Sequence, residues 1–303
     1  MTTTDAFEVV VVGGGPAGLS AALVLGRARR QTVIVDAGQP RHSHAAAMHN
    51  VFTRDGASSA DLLAAATRDL AGFPSVTLRP GAAVDVLRRD GHFETVLADD
   101  TRLRSRTLLL AYGIVDELPP IDGLRQLWGT SVLHCPYCHG WELRDESLAV
   151  YGRGDEMVDL VRLVRGWSAD VTLCTNGGSE LADDQITQLS RWGVAIREQP
   201  ILGFESISGV LQHVTFTSGP PLRCRAVFLR PAQRPQCDFA ARLRCAHTPI
   251  GLIKTDSAGQ TSVQHVWAAG DITSPIQQVI FAAASGAAAA IDIHRGLLKS
   301  DFP

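Results

Sequence analysis

The stretch that most constrains the fold is the N-terminal VVVVGGGPAGLSAALVLG, in which closely spaced glycines separate two kinds of regular structure. Residues 8–12, EVVVV, form a β-branched run that predicts a buried parallel strand. Gly13, Gly15 and Gly18 follow at once with G-x-G-x-x-G spacing, and an Ala- and Leu-rich helix opens after them. The next predicted strand, TVIVD, ends in Asp36, whose carboxylate can bind a ribose hydroxyl.

The glycines of this turn have a physical reason to be there. Without Cβ atoms the turn can be tight, and a pyrophosphate can approach backbone N–H groups at the positive end of the helix. Pro16 and Ala17 lie inside the same turn, where the helix begins. Because strand, turn, helix, second strand and acid all stand in order, we predict a dinucleotide site here; a purely structural glycine turn is the alternative.

Composition narrows the class of protein. With 303 residues the chain has room for roughly two domains. Its net charge of −3 gives no electrostatic footprint for nucleic acid. Residues 9–26 carry no charge, but the run from Gly13 to Pro16 would break a membrane helix at its centre, so we expect no membrane span. The N-terminal MTTTDAFE lacks a basic region, and we expect a cytoplasmic protein.

A second informative stretch is LHCPYCHGWE, in which Cys135 and Cys138 are followed directly by His139. This spacing is typical of a redox dithiol, of half a zinc site and of a c-type haem attachment point. The other cysteines, at positions 174, 224, 237 and 245, supply no second C-x-x-C for a structural zinc site. We interpret them as small buried or surface thiols.

A third stretch, HVWAAGDIT, predicts a strand before Gly270 and Asp271, with an Ala-rich helix after them. The small residues of that helix permit close approach to a flat group or to another backbone, although ordinary tight packing explains them equally well. Residues 88–113 read as a β-meander that leads into a strand, and residues 59–71 as a helix. We interpret His42, His44 and His49 as exposed loop histidines and expect no metal site.

These motifs together resemble the low-molecular-weight thioredoxin reductase family of flavoproteins. The resemblance rests on four ordered landmarks that span nearly the whole chain: the glycine turn, AYG at 111–113, C-x-x-C at 135–138 and AAGD at 268–271. It implies an α/β fold with two Rossmann-like domains. An FAD-binding domain, residues 1–116 and 249–303, is interrupted by a smaller domain, residues 117–248, that carries the dithiol and a site of the NAD(P)H type. A homodimer is implied as well.

The resemblance also implies roles for individual residues. In the family the first site holds FAD and the late aspartate, here Asp271, reaches the ribityl chain. Gln277 and Gln278 correspond to positions near the isoalloxazine ring, where the family more often has Arg-Gln. The FAD-binding residues expected in this chain are Gly13, Gly15, Pro16, Ala17, Gly18, Asp36, Asn50, Gly113, Gly270, Asp271 and Gln278.

For C-x-x-C the resemblance favours a redox-active pair beside a flavin. Cys135 is implied to exchange with substrate and Cys138 to face the flavin, with His139 and His134 as candidate bases. Common reductases have an aspartate after the second cysteine. The C-x-x-C-H-G pattern is similar to the branch that contains the gliotoxin and holomycin dithiol oxidases and reductases that no longer depend on NADPH. Such oxidases pass electrons through the flavin to oxygen.

The expected second dinucleotide site departs from its pattern. Gly152 and Gly154 match, but Met157 stands where a glycine or alanine would allow close packing of helix and strand. After the next strand the chain reads TLCTNGGSEL, without a basic residue for a 2′-phosphate and without an acid at the strand end that would favour NAD. Both departures argue against use of NAD(P)H.

We therefore predict an FAD-dependent thiol–disulfide oxidoreductase, preferably a dithiol oxidase that uses oxygen. A thioredoxin-disulfide reductase that uses NAD(P)H or a ferredoxin-like donor is the alternative, and a flavin-bound redox sensor is an alternative of another class. The expected partner is a small dithiol or disulfide, or a thioredoxin-like protein.

Overall fold

The computed structural model describes residues 5–303. Its strands are β1 (Asp5–Val12), β2 (Thr32–Asp36), β3 (Val76–Pro80), β4 (Ala83–Arg89), β5 (His92–Leu97), β6 (Arg102–Leu110), β7 (Ile114–Glu117), β8 (Val132–Leu133), β9 (Leu148–Tyr151), β10 (Val171–Cys174), β11 (Ala195–Arg197), β12 (Ile201–Ile207), β13 (Val210–Phe216), β14 (Leu222–Arg223), β15 (Ala226–Leu229), β16 (Ala232–Pro235) and β17 (Val266–Ala268). The two short strands β7 and β16 pair with each other.

The α-helices are α1 (Pro16–Arg27), α2 (Ser59–Leu70), α3 (Pro136–His139), α4 (Asp155–Val164), α5 (Asp183–Arg191), α6 (Phe239–Arg242) and α7 (Val279–Asp301). Short 3₁₀ segments cover Arg41–His44 and Arg125–Leu127. Within residues 5–303 none of the helices combines the length and the apolar character that crossing a bilayer requires.

The first of two compact units contains, among the described residues, 5–43, 50–115 and 234–303. Its sheet has the order β3-β2-β1-β6-β5-β4, with β17 also paired to β6. Strands β1, β2, β3, β6 and β17 run parallel, whereas β4, β5 and β6 form the antiparallel meander that the sequence predicts. The four valines of β1 are buried because helices and loops cover both faces of the parallel strands.

Helices α1 and α7 pack against each other at very close range. A Cβ atom built on Gly286 would lie 2.0 Å from the carbonyl oxygen of Ala17, so only glycine fits there. The Ala-rich composition of α7 thus serves backbone approach between two helices. The nearly buried Arg30 adds ion pairs to Glu8 at 2.6 Å and Asp301 at 2.7 Å, which tie the end of α7 to the first strand.

The second unit contains residues 44–49 and 116–233. Its main sheet has the order β11-β10-β9-β15-β8 and is parallel throughout. Strands β9 and β10 are joined by α4, whose apolar side packs on them, so this unit repeats the strand–turn–helix–strand arrangement of the first. A three-stranded antiparallel sheet, β12-β13-β14, completes it.

This architecture confirms the predicted α/β class with two Rossmann-like units. In this division of the chain residues 234–248 belong to the first unit. The domain limits expected from the resemblance, at 116/117 and 248/249, stay a prediction about functional domains.

Candidate active site

The first glycine turn is shaped by backbone that passes very close to it. Gly13 has φ of +111°, and a Cβ atom there would lie 2.3 Å from the carbonyl oxygen of Ala111. A Cβ atom on Gly18 would lie 1.9 Å from the carbonyl oxygen of Gly13. Two glycines of the fingerprint are therefore required by the protein's own packing, and they bring the start of α1 close to the ends of β1 and β6.

Gly15 differs from its neighbours in what surrounds it. It has ordinary φ of −74° as the N-cap of α1, and a Cβ atom built there would meet no atom of the described chain within 4 Å. Pro16 occupies the first position of α1, and no acidic residue lies in the first turn of the helix. No side chain of the described residues caps this helix end, so its N–H groups are available to an anion.

Asp36 lies at the end of β2, where the sequence predicts a ribose-binding acid. Its Oδ1 accepts a hydrogen bond of 3.0 Å from the backbone N–H of Gly14. A Cβ atom on Gly14 would lie 2.7 Å from Asp36 Cγ, so Gly14 must also be glycine. The sequence analysis did not single out Gly14, because it lies between the fingerprint positions. The run of three glycines nevertheless indicates that another group packs directly against the backbone, and this group is the Asp36 side chain.

A polar cluster stands after β17 in the same unit. Asp271 Oδ2 forms an ion pair of 3.0 Å with Arg41 Nη1, and the same Nη1 donates to Gln277 Oε1 at 2.7 Å. Gly270, with φ of +83°, precedes Asp271, and Gln278 caps the N-terminus of α7. The sequence predicted Asp271 but missed Arg41, since no motif marks the loop after β2.

These residues fit the adenine-dinucleotide cofactor expected from the sequence. The turn offers glycines, free helix N–H groups and an acid at the following strand end, which is the donor and acceptor set that a pyrophosphate and a ribose require. Asn50 and Gly113 lie in the same unit, each with positive φ, at +63° and +72°. Their contact with the cofactor stays a prediction.

Cys135 and Cys138 form a disulfide at the start of α3 in the second unit. Strand β8 ends at Leu133, so the sheet delivers the chain directly to the pair. The backbone N–H of Cys138 donates to Cys135 Sγ at 3.1 Å. When the disulfide is reduced, that N–H is placed to stabilise a thiolate on Cys135.

The other cysteines contrast with this pair. Cys174, Cys224, Cys237 and Cys245 are free thiols, and all but the partly buried Cys237 are buried in the core. Burial raises the pKa of Cys174 to about 12 and raises the pKa of Cys224 as well. Such thiols stay protonated at neutral pH and are poor nucleophiles, in agreement with their interpretation as packing residues.

His139 follows the disulfide directly and has two polar neighbours. Its ring lies edge-on to the ring of His49, with 6.4 Å between centroids, and His49 Nε2 lies 3.5 Å from Glu142 Oε1. Burial, and to a smaller extent His49, lower the pKa of His139, whereas Glu142 raises it. The imidazole is therefore neutral at neutral pH and can accept a proton.

The structure confirms that His44 is exposed but corrects the same interpretation of His42 and His49. The side chain of His49 is only 18% exposed because it packs beside His139, and His42 Nε2 is fully buried. Their burial could not be predicted from the sequence, because the groups that cover them, such as His139 beside His49, lie far away along the chain. Within residues 5–303 no group of three histidine, cysteine or acidic side chains is arranged to hold a metal ion.

Aromatic side chains surround the disulfide. His134, the second candidate base, stacks at 5.8 Å on Trp128 and is partly buried. Tyr137 lies edge-on to Trp167 at 5.5 Å and is 61% exposed. Trp141 is 65% exposed, with the Arg144 guanidinium 4.2 Å above its ring. An aromatic surface therefore borders the disulfide.

At the second glycine turn, between β9 and α4, Met157 and Arg153 pack near the glycines, whereas a Cβ atom on Gly154 would meet no atom of the described chain within 4 Å. A Cβ atom on Gly152 would lie 2.3 Å from Met157 Sδ, and Met157 is buried in the core. Arg153 reaches across to the loop after β10, where its Nε donates to Thr175 O at 2.7 Å and its guanidinium also bonds to Asn176 O. Arg153 thus brings a positive charge to a loop whose own sequence has no basic residue. Two of its donors bond to backbone carbonyls of that loop.

Comparison with known proteins agrees with this arrangement. The model of the pyridine nucleotide-disulphide oxidoreductase family matches residues 7–286. The chain belongs to this family. The match covers both glycine turns and the disulfide, and the predicted family is confirmed.

Individual relatives place the oxidoreductase within the family. Thioredoxin reductase aclD of Aspergillus oryzae is 30% identical over 95% of each chain. The crystal structure of HlmI superimposes with a TM-score of 0.95 and 36% identity, covering 99% of this chain and 96% of that one. A putative thioredoxin reductase, TrxB from Bacillus anthracis, gives a TM-score of 0.93 with 32% identity, covering 97% and 100%.

The oxidoreductase is thus an enzyme of the thioredoxin reductase-like type, and membership of the family implies that it binds FAD. Which residues bind the flavin, and which act on substrate, stay predictions at this point. The same holds for the homodimer that the resemblance implies.

Proposed function

We propose that the oxidoreductase is an FAD-dependent dithiol oxidase that closes a disulfide in its substrate and delivers the electrons to oxygen. The observation that carries this proposal is the acidic start of α4 at the second turn, where Asp155 and Glu156 lie in the first helical turn. A reductase that takes electrons from NAD(P)H must bind the pyrophosphate of the dinucleotide there, and these carboxylates repel it. An oxidase needs no such donor.

Three properties of the second turn oppose a dinucleotide. Met157 stands at the position of the third fingerprint glycine, where a small residue would allow close packing of helix and strand, and its Sδ would lie 2.3 Å from a Cβ atom on Gly152. The first turn of α4 carries Asp155 and Glu156, whose carboxylates repel a pyrophosphate at the helix N-terminus. The donors of Arg153 are bound to backbone carbonyls, and its Nη1 lies 3.5 Å from Glu180, so its charge is partly neutralised.

The first half of the reaction is thiol–disulfide exchange at the Cys135–Cys138 bond. His139, neutral at neutral pH, accepts the proton of a substrate thiol. The thiolate attacks Cys135 Sγ, the bond between the two cysteines breaks, and Cys138 leaves as a thiolate. A mixed disulfide between substrate and Cys135 results.

The second half releases the oxidised substrate. The second substrate thiol gives its proton to the Cys138 thiolate and then attacks the substrate sulfur of the mixed disulfide, and Cys135 leaves as a thiolate that the N–H of Cys138 stabilises. The substrate has lost two electrons and two protons, and the cysteine pair has gained two electrons. FAD, when bound, supplies the onward chemistry, since it can take an electron pair from the dithiol and pass it to dioxygen to give hydrogen peroxide.

The FAD would be held by the first unit. The N-terminus of α1 with Gly15 suits the pyrophosphate, and Asp36 suits the ribose. Asp271 would hold the ribityl chain, and Gln278 would lie near the ring, as the resemblance implies. Substrates of the proposed oxidase are small dithiols that fit against the aromatic side chains near Cys135.

Anaerobic stopped-flow absorbance tests the proposal. The purified yellow protein is mixed separately with dithiothreitol, NADPH and NADH, and flavin bleaching is followed near 450 nm. We expect dithiothreitol to bleach the flavin much faster than either nicotinamide, and admission of air to restore the colour with formation of hydrogen peroxide. The Cys135→Ser variant is the control, because it retains the flavin site but cannot accept substrate electrons.

Bleaching by NADPH or NADH at the rate seen with dithiothreitol would overturn the oxidase proposal. It would establish the second candidate, a thioredoxin-disulfide reductase, which the relatives named thioredoxin reductases and the exposed Tyr137 and Trp141 support as a surface for a protein disulfide. Equally slow bleaching by all three would favour a reductase with a ferredoxin-like donor. Steady-state turnover of dithiol would exclude a redox sensor.

A further inference from the structure

The 3₁₀ segment Arg41–His44 contains a buried polar atom that nothing in the described chain satisfies. His42 Nε2 is inaccessible to solvent and has no hydrogen-bond partner within residues 5–303. A buried donor or acceptor without a partner is costly, and proteins rarely keep one unless a bound group completes it. His42 therefore marks a place where a ligand atom is expected.

The surroundings of His42 indicate which ligand this is. The adjacent Arg41 is bound to Asp271 and Gln277, and Asp271 acts electrostatically on His42. Asp271 is the residue expected to reach the ribityl chain of FAD. The orphaned nitrogen thus belongs to the same cluster as an expected flavin ligand, in the unit that carries the first glycine turn.

The ionisation state of His42 fits a hydrogen-bonding role. Burial lowers its pKa, Asp271 raises it to a smaller extent, and Arg41 lowers it further. The ring is therefore neutral at neutral pH, so one ring nitrogen donates and the other accepts. Such a group can complete the polar shell of a bound cofactor without adding a second positive charge beside Arg41.

We propose that His42 Nε2 forms a hydrogen bond with a polar group of FAD, and that Arg41, fixed by Asp271 and Gln277, holds the His42 loop in position for it. The cofactor is then bound by three chain segments: the fingerprint turn, the turn after β17, and the loop after β2. This inference rests on the FAD site of the proposed function and adds a residue that no motif identifies.

Binding of FAD to the full-length protein tests the role of His42. After removal of flavin, the dissociation constant is measured from the quenching of FAD fluorescence. We expect His42→Leu to raise the dissociation constant about tenfold, since one hydrogen bond to a buried group is lost. His42→Gln, which keeps a donor and an acceptor, should change it less than about threefold. His44→Leu, at an exposed histidine of the same segment, is the matched control and should leave it unchanged.

Thermal unfolding separates cofactor binding from a structural role. Leucine at position 42 removes the orphaned nitrogen, so the flavin-free variant should unfold at the same or a higher temperature than the flavin-free parent, while the stabilisation by FAD shrinks. An unchanged FAD dissociation constant in His42→Leu would overturn the proposal and indicate a water as the partner. Equal destabilisation with and without FAD would overturn it in favour of a packing role. Neither result depends on dithiol turnover, so the oxidase proposal can fail independently.

Discussion

The two glycine turns of this oxidoreductase start from the same arrangement of strand, turn, helix and strand, yet they differ at the third position of the fingerprint. A Cβ atom on Gly15 of the first turn, or on Gly154 of the second, would meet no atom of the described chain within 4 Å. The third position is Gly18 in the first turn and Met157 in the second, and Met157 Sδ would lie 2.3 Å from a Cβ atom on Gly152. The comparison teaches that matching first and second glycines do not distinguish the two turns, so the third position and the charge at the helix start must do so.

The two turns also differ in the charge at the start of the helix that follows each of them. The first turn of α1 contains no acidic residue, whereas the first turn of α4 contains Asp155 and Glu156. Carboxylates at a helix N-terminus stabilise the helix by satisfying its dipole, and they take the place that a phosphate would otherwise hold. Helix α4 is thus adapted to be stable by itself, and α1 is adapted to receive an anion.

The second unit carries its expected chemistry at another place in its sheet. Strand β8 lies at the edge, parallel to β15, and leads to the Cys135–Cys138 disulfide. The strand–turn–helix frame persists as the support for this edge, because β9 lies next to β15 and packs against α4. On this view the dinucleotide-type frame of the second unit serves to position the disulfide.

The strongest test of this view is to remove the disulfide. Cys138→Ser should lower the rate of dithiol oxidation about a thousandfold or more, because the exchange has no leaving sulfur and the mechanism acts as a unit. FAD content should be unchanged, since the proposed cofactor site lies in the first unit. Oxygen consumption with dithiothreitol measures the loss. Cys237→Ser, at a partly buried free thiol, is the control and should retain full activity; a Cys138→Ser enzyme that still turned over would place the chemistry elsewhere.

The next largest effect concerns the base. His139→Asn should lower the rate of dithiol oxidation about a hundredfold, in line with loss of a general base. Because the pKa of His139 is lowered from 6.5, the imidazole stays neutral as the pH falls through that value and is protonated only below it. The acid limb of kcat/KM should therefore lie below pH 6.5 in the parent and disappear in the variant. A limb unchanged by the substitution would assign it to another group, with His49 as the first candidate.

A third substitution tests the open space at the first turn. Gly15→Val introduces a side chain where the described chain has no atom, so flavin-free protein should fold normally, with an unfolding temperature close to that of the parent. The FAD dissociation constant should rise about 30-fold, since an intruding side chain costs roughly 2 kcal/mol. Fluorescence quenching measures it. The comparison variant is Gly72→Ala, outside the turn, where a Cβ atom would meet only Asp69 O at 3.8 Å. Equal FAD affinity in Gly15→Val and parent would mean that the pyrophosphate does not lie there.

The sequence was sufficient for the parts of the fold that depend on local pattern. Three local features identified the first unit: the valines of β1, the fingerprint glycines and Asp36. Each is recognisable from its spacing to residues nearby in the sequence. The meander and the late strand and helix were likewise predicted from periodicity and small residues.

Contacts between distant segments were beyond such reasoning. Arg41 finds Asp271, and His49 finds His139, only once the chain is folded, and neither loop residue stands in a recognisable motif. Arg153 is the most instructive case. The loop after β10 has no basic residue in its sequence, as predicted. The fold nevertheless places the Arg153 guanidinium against this loop, where it bonds to a backbone carbonyl. The second turn therefore carries a positive charge that the sequence of the loop does not reveal.

The smallest expected effect comes from opening the second turn at this residue. Arg153→Ala frees the carbonyls of Thr175 and Asn176 but leaves Met157 in place, so bleaching of the flavin by NADPH should accelerate no more than about fivefold, the worth of roughly one hydrogen bond. Arg165→Ala, which likewise loses a bond to a backbone carbonyl, is the matched control. Bleaching of Arg153→Ala by NADPH at the dithiol rate would mean that one side chain closes an otherwise working nicotinamide site, and the two turns would then differ by a single residue. A small change would mean that the closure is built into the packing of Met157 and the acidic start of α4, where no single substitution restores the site.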